Sequence, residues 1–149
     1  MRRDAPFWLH AEGQGDVEAT AATAPASGPT AFAISRRELD AHTTALTVAG
    51  ELDLATAPRL KWALTDAIGA GAGRVVLDLS PVTFIDSTAL GVLVGVRRSL
   101  GAGSRLAIVC ASANVLRIFE LTGLDATFNI FSTLDHALAY VRGSAAAAG

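Results

Sequence analysis

Phe84-Ile85-Asp86-Ser87-Thr88-Ala89-Leu90-Gly91 is the stretch on which the reading of this chain turns. Two apolar residues close a strand, three polar residues follow, and an almost wholly apolar stretch then runs to Val96. Asp, Ser and Thr side chains all accept hydrogen bonds from the free N–H groups of a first helical turn, so a helix is expected from here to about Leu100. Arg97 and Arg98 sit near its far end, where cations oppose the negative end of the helix dipole. Gly101 and Gly103 stop it. Gly91 and Gly95, four apart, are expected to let this helix pack closely against a sheet.

The pattern extends outward on both sides. Upstream, Thr44 to Asp53 alternates, with Leu46, Val48 and Leu52 on one face and Thr47, Ala49, Glu51 and Asp53 on the other. That is the period of a half-buried strand running into a polar end. Phe32 to Ser35 reads as a shorter strand before it. Pro58 suits the first turn of a helix carrying Leu60, Ala63, Leu64, Ala67 and Ile68, which Gly69, Gly71 and Gly73 end. Val75 to Leu79 is a short apolar run suited to an interior strand, broken by Ser80-Pro81. Downstream, Arg105 to Cys110 is another such strand. Ser112 can cap a helix with Val115, Leu116, Ile118 and Phe119, ended by Gly123. Thr127 to Phe131 is expected as a last strand, and Ser132 with Asp135 as a capping-box-like start to a helix bearing Leu134, Ala137, Leu138 and Val141. Strands alternating with helices imply an α/β domain with a mixed, largely parallel sheet.

The chain has 149 residues, 51% of them apolar and 17% charged, which suits one domain with a sizeable core. Residues 1–29, rich in Ala, Gly, Thr, Ser and Pro, read as a flexible lead-in, 30–143 as the domain and 144–149 as a disordered tail. Phe7-Trp8-Leu9 is a small apolar island in the lead-in, either incidental or a docking peptide. Twelve basic against fourteen acidic residues, a net charge of −2, argue against direct nucleic-acid binding. The single cysteine, Cys110, excludes an intramolecular disulfide and a Cys-cluster zinc site, and the three histidines have no metal-ligand spacing. No run approaches the ~20 apolar residues of a membrane span. No apolar stretch of a signal peptide follows Arg2-Arg3. A soluble cytoplasmic protein is expected, of a size and charge compatible with a monomer.

Enzyme motifs fail in turn. Ser87 lacks a G-x-S-x-G frame. Gly69-Ala70-Gly71-Ala72-Gly73 follows a helix and precedes a strand, the reverse of a dinucleotide loop. Glu120 and Asp125 are dispersed carboxylates, expected to be solvated. No catalytic residue, metal or cofactor is therefore expected. The helix start at Asp86-Ser87-Thr88 is where function can reside, because N–H groups and the positive dipole end point outward there. A hydroxyl at that place has two uses. It can cap the helix, worth about 1 kcal/mol, which is what the residues alone favour. It can also carry a phosphate, which the helix N-terminus tolerates and which adds nearly two negative charges beside Asp86. A loss of about 3–4 kcal/mol of docking energy would then weaken a partner's binding a few hundredfold.

Four stretches in register go further: Gly50-Glu51-Leu52-Asp53 with Ala57-Pro58; Val76 to Leu79; Phe84 to Gly91; and Leu116-Arg117-Ile118-Phe119-Glu120-Leu121-Thr122-Gly123-Leu124. Together they span about residues 31–142 and resemble the STAS domain of the anti-sigma factor antagonist (anti-anti-sigma factor) family. The resemblance implies a mixed four- to five-stranded sheet with about four helices packed mainly on one face. It also implies partner switching. The unphosphorylated antagonist binds an anti-sigma factor serine kinase and frees the sigma factor; the kinase phosphorylates the antagonist with ATP, and a separate phosphatase resets it. The family's phosphoacceptor falls on Ser87, and Thr88 takes the neighbouring hydroxyl position. Asp53 matches an acidic residue near the phosphorylation site. Glu51, Asp53, Asp86, Thr88 and Ala89 are the expected partner-binding residues, with Asp53 and Asp86 serving docking and local electrostatics. Ala89 departs from the family's usual glycine and is expected to place a methyl group on the surface that a kinase approaches. A subunit of a membrane lipid transporter, binding its ATPase and never phosphorylated, is the alternative, with Ser87-Thr88 then a structural cap. A ligand-sensing module would need pocket residues that the sequence does not display.

Overall fold

The computed structural model describes residues 31–143, so the expected flexible lead-in, its Phe7-Trp8-Leu9 island and the expected disordered tail lie outside the described residues. In chain order the elements are β1 (Ala33–Glu38), β2 (Thr43–Leu52), α1 (Ala57–Gly69), β3 (Arg74–Asp78), β4 (Val82–Ile85), α2 (Ser87–Ser99), β5 (Arg105–Val109), α3 (Ala113–Thr122), a 3-10 turn (Leu124–Ala126), β6 (Asn129–Phe131) and α4 (Leu134–Val141). The continuous sheet order is β1-β2-β3-β5-β6, and β4 is a sixth, short strand that pairs with β2 alone. β1 runs antiparallel to β2, and every other pairing is parallel. The α/β architecture with a mixed sheet is thus present. β4 is the strand that sequence patterning folds into the approach to α2, because its four residues, buried only at Val82 and Ile85, are too few to show a period.

Side chains alternate across the sheet, and the two faces are covered differently. Leu46, Leu77 and Ile108 are neighbours in the register and are 1%, 0% and 0% exposed. They lie on the face served by α1 to α3, where α1 touches β2 and α2, and α3 touches β4. Leu60 and Leu64 of α1 and Leu93 of α2 point into the same core. Each such buried aliphatic side chain is worth about 1.5–3 kcal/mol. On the opposite face Ala45, Val76, Ala107 and Val109 pack against Ala137 and Val141 of α4. Small residues on that face let a single helix sit close. The first half of β2 is consequently buried on both faces, whereas its second half keeps the expected alternation, with Glu51 exposed and Leu52 buried.

Two expectations at the C-terminal end shift. The last strand is Asn129–Phe131 rather than Thr127 to Phe131, because the Leu124 carbonyl accepts from the N–H groups of Thr127 (3.0 Å) and Phe128 (2.9 Å) and holds both in the turn. The cap of α4 is Thr133, not Ser132: its Oγ1 accepts from the His136 N–H at 3.3 Å. The Phe131 carbonyl is still in the sheet, bonded to the Cys110 N–H, so Ser132 is needed for the turn. By contrast, Ser112 caps α3 through the Val115 N–H, and Gly123 ends it at φ 78°, both as expected.

Gly50 governs how β2 changes partner. β2 pairs with β3 from Thr43 to Thr47, then with β4 from Gly50 to Leu52, with a register shift between Gly50 and Glu51. Gly50 sits at φ +94°, and a Cβ there would lie 2.8 Å from the Phe32 Cα. Backbone freedom and absence of a side chain are both required. Gly50→Ala is expected to cost about 1–3 kcal/mol, read as a lower urea midpoint at unchanged slope.

The β1–β2 turn carries the one strongly displaced carboxyl among the described residues. The His42 N–H donates to Asp40 Oδ1 at 2.9 Å, and Arg142 from the far end of the domain reaches Oδ2 at 3.1 Å. These bonds, the His42 N–H first, lower the Asp40 pKa from 3.8 to about 2. The native value lies below the unfolded one, so the ionised group stabilises the fold above the unfolded value and its contribution fades as pH falls towards about 2. Asp40→Asn should therefore show a shallower fall of urea midpoint between pH 5 and pH 2 than the unsubstituted chain.

Candidate functional site

The carboxyl ends of β2 and β4 build the site. Leu52 and Ile85 are paired in register, and the Asp86 N–H donates to the Leu52 carbonyl at 3.0 Å. This places Asp53 and Asp86, each the next residue of its strand, side by side. Glu51 is exposed directly opposite Phe84. Of the residues singled out in the sequence, Glu51, Asp53, Asp86, Ser87 and Thr88 are thus gathered at one end of the sheet.

Asp86 is the N-cap of α2. With extended backbone (φ −116°, ψ 179°), its Oδ1 accepts from the N–H groups of Thr88 (2.9 Å) and Ala89 (3.1 Å). One carboxylate oxygen therefore does the capping. The hydroxyls of Ser87 and Thr88 are left exposed, with no hydrogen-bond partner among the described residues. The capping role that the residues alone would grant a hydroxyl belongs instead to Asp86. Its negative charge also faces the positive end of the helix, a favourable placement.

Asp53 performs the same service in the turn before α1. Its Oδ1 accepts from the N–H groups of Ala55 (3.0 Å) and Thr56 (3.1 Å), while the Thr56 hydroxyl accepts from the Asp53 N–H at 2.9 Å and donates to the Glu51 carbonyl at 2.8 Å. This reciprocal clamp holds the loop that flanks α2. Thr56 was not legible as a site residue; its position three after Asp53 is the only signal for it.

Three expectations about side-chain placement are corrected. Ala89 is 0% exposed, so its methyl group lies in the core beside Leu93 and does not stand on the approach surface; the helix turns positions 89, 93 and 96 inward together. Gly91 and Gly95 do not pack on the sheet. They are exposed, and a Cβ on either would meet nothing within 4 Å. With Thr88, Lys61 and Thr65 they line a shallow groove of about 450 Å³ between α1 and α2. Leu54 (72% exposed) and Phe84 (49%) are large apolar side chains at the same end of the sheet, which alternation had not singled out. Cys110 is buried, and burial pushes its thiol pKa up, away from the reactive thiolate. No helix among the described residues is long and apolar enough to cross a membrane.

Residues 34–137 match the STAS domain. The chain belongs to the STAS domain family. This STAS chain is 37% identical over 98 residues to the anti-sigma-F factor antagonist RsfB of Mycobacterium tuberculosis, a match covering 66% of this chain and 80% of that protein. Its fold superposes on the crystal structure of an anti-sigma factor antagonist from Mycobacterium paratuberculosis with a TM-score of 0.71 at 33% identity, covering 78% of this chain and 98% of the other. It also superposes on the anti-sigma factor antagonist SpoIIAA in its unphosphorylated form, with a TM-score of 0.64 at 26% identity over 74% of this chain and 97% of the other.

Asp86→Ala removes the cap and should cost about 1 kcal/mol, whereas Asp86→Asn, which retains an acceptor oxygen, should cost less. Urea unfolding of the two variants measures the difference.

Proposed function

We propose that this STAS chain is an anti-sigma factor antagonist that regulates transcription by partner switching. Its unphosphorylated form binds an anti-sigma factor serine kinase and frees the sigma factor, and phosphorylation of Ser87 ends that binding. The observation that carries the reading is the division of labour at the start of α2: Asp86 holds the helix, and Ser87 keeps an exposed hydroxyl with no partner among the described residues. The names of the relatives support it, RsfB being an anti-sigma-F factor antagonist and SpoIIAA an anti-sigma factor antagonist described in its unphosphorylated form.

In this scheme the Ser87 Oγ takes the γ-phosphoryl group of ATP, ADP leaves, and the hydroxyl proton passes to a base of the kinase. The product adds nearly two negative charges next to Asp86 and Glu51, at a helix start that accepts them without unfolding. Docking then fails through charge and bulk on the partner's side while the fold persists. Asp53, Asp86, Glu51 and Thr88 frame the docking surface, and Leu54 and Phe84 add its apolar contacts; Ala89 acts only through the core. A separate phosphatase restores the binding form. We assign this activity to the cytoplasm, where ATP and the sigma factor are found, and no cofactor or catalytic group of the chain itself takes part.

Ser87→Ala should keep the stability of the unsubstituted chain within about 0.5 kcal/mol, since the side chain is exposed and unbonded. Intact mass after incubation with host lysate and ATP should show one phosphate on the unsubstituted chain and none on Ser87→Ala. Ser87→Asp should bind the partner about a hundredfold more weakly than Ser87→Ala. Equal affinities of the two variants would refute the switch, and absence of phosphate from the unsubstituted chain would favour a constitutively bound subunit.

A further inference from the structure

The edge of the sheet at β6 is unfinished. β6 lies at the end of the order β1-β2-β3-β5-β6, three places from β2 and the Ser87 site. The Phe131 carbonyl accepts from the Cys110 N–H at 2.9 Å, so Phe131 turns its backbone groups towards β5. Successive residues of a strand direct those groups to opposite sides, so the N–H and C=O of Ile130 point off the sheet. Neither has a hydrogen-bond partner among the described residues. Natural sheets usually cover or charge such an edge. Here a groove of about 650 Å³ runs along it, with Leu116 and Phe128 on its apolar wall and Glu120 and Asp125 among its lining. Both carboxylates are exposed and without a partner among the described residues. Dispersed in sequence, they are brought to one groove by the turn at Gly123.

We propose that this edge is a second docking site, for an extended partner segment of alternating apolar and basic side chains that adds one strand to β6. Each part of the groove selects one feature of that occupant. An unpaired N–H and C=O on one residue are matched by a strand, whose backbone groups are free, and not by a helix, whose groups are already paired. Alternation turns the basic side chains to the α3 side, against Glu120 and Asp125, and the apolar ones to the α4 side, against Phe131 and Tyr140. The same carboxylates repel a nucleic-acid backbone and an anionic lipid surface. Because β6 is three places from β2 in the sheet order, a strand added there leaves the Ser87 hydroxyl uncovered, and a partner can be held in both states of the switch.

The full chain, labelled with nitrogen-15, is titrated with a capped six-residue peptide alternating lysine and valine, and separately with its glutamate–valine counterpart. Amide exchange at Ile130 is the readout. The basic peptide at millimolar concentration is expected to slow exchange at Ile130 at least fivefold and to leave Ser87 unchanged, with no slowing by the acidic peptide. The double variant Glu120→Lys with Asp125→Lys, confined to exposed side chains, should weaken the basic peptide at least tenfold. The basic peptide should also shift the Phe131 amide resonance, and Ile130→Pro, which removes the outward N–H and spares the bonds to β5, should abolish that shift. Absence of slowing with both peptides, equal slowing by both, or indifference to the charge reversal overturns the proposal. Slowing that grows with protein concentration in the absence of peptide also overturns it, in favour of a second copy as occupant.

Discussion

The parallel pairing of Leu52 with Ile85 is the contact on which the functional end of this domain depends. β2 spends its first half between β1 and β3 and its second half beside β4, and the exchange occurs at Gly50, where the backbone adopts φ +94° against Phe32. A residue with a side chain would make that turn only under strain at so close an approach. Without it, the strand that leads into α2 would have no neighbour, and the Asp86 N–H would lose the Leu52 carbonyl. The whole arrangement of carboxylates and hydroxyls therefore rests on one strand changing partner.

What that pairing delivers is a separation of tasks among adjacent residues. Asp86 satisfies two of the orphan N–H groups of α2, and Asp53 does the same in the turn before α1. Each carboxylate is a local structural device, and the helix cap at Asp86 is worth about 1 kcal/mol. Each also adds negative charge to one surface. Ser87 is relieved of structural duty, so a change at its hydroxyl alters recognition more than stability. A switch of this kind needs that separation, because a modified residue that also held the fold would unfold it when modified.

The remainder of the domain keeps this end rigid. Leucines and isoleucines fill the α1–α3 face, while alanines and valines on the other face admit α4 alone. Just past α4, Arg142 ties this end of the described domain to the β1–β2 turn through Asp40. β6, the last strand in chain order, lies at an edge and is only three residues long. Its exposed backbone is what remains when the 3-10 turn takes Thr127 and Phe128 out of the sheet.

Much of this was written in local patterns. Alternation at Leu46, Val48 and Leu52, the helical spacing of Leu60, Leu64 and Ala67, and the capping residues at Asp86, Ser112 and Gly123 each report on neighbours within a few residues, so the sequence by itself determined the elements and their order. It also marked Ser87 and Thr88 as lying at a helix start. Only the tertiary structure decided which of three adjacent polar residues is the cap, because that depends on where the Leu52 carbonyl anchors the Asp86 N–H. It likewise decided that Ala89 faces inward and Gly91 and Gly95 outward, since helical spacing gives a relative angle between side chains and only the docking of the helix on the sheet sets its rotation. Thr133 rather than Ser132 caps α4 for a similar reason: the Phe131 bond to Cys110 spans twenty-odd residues of chain, a contact to which no local pattern is sensitive.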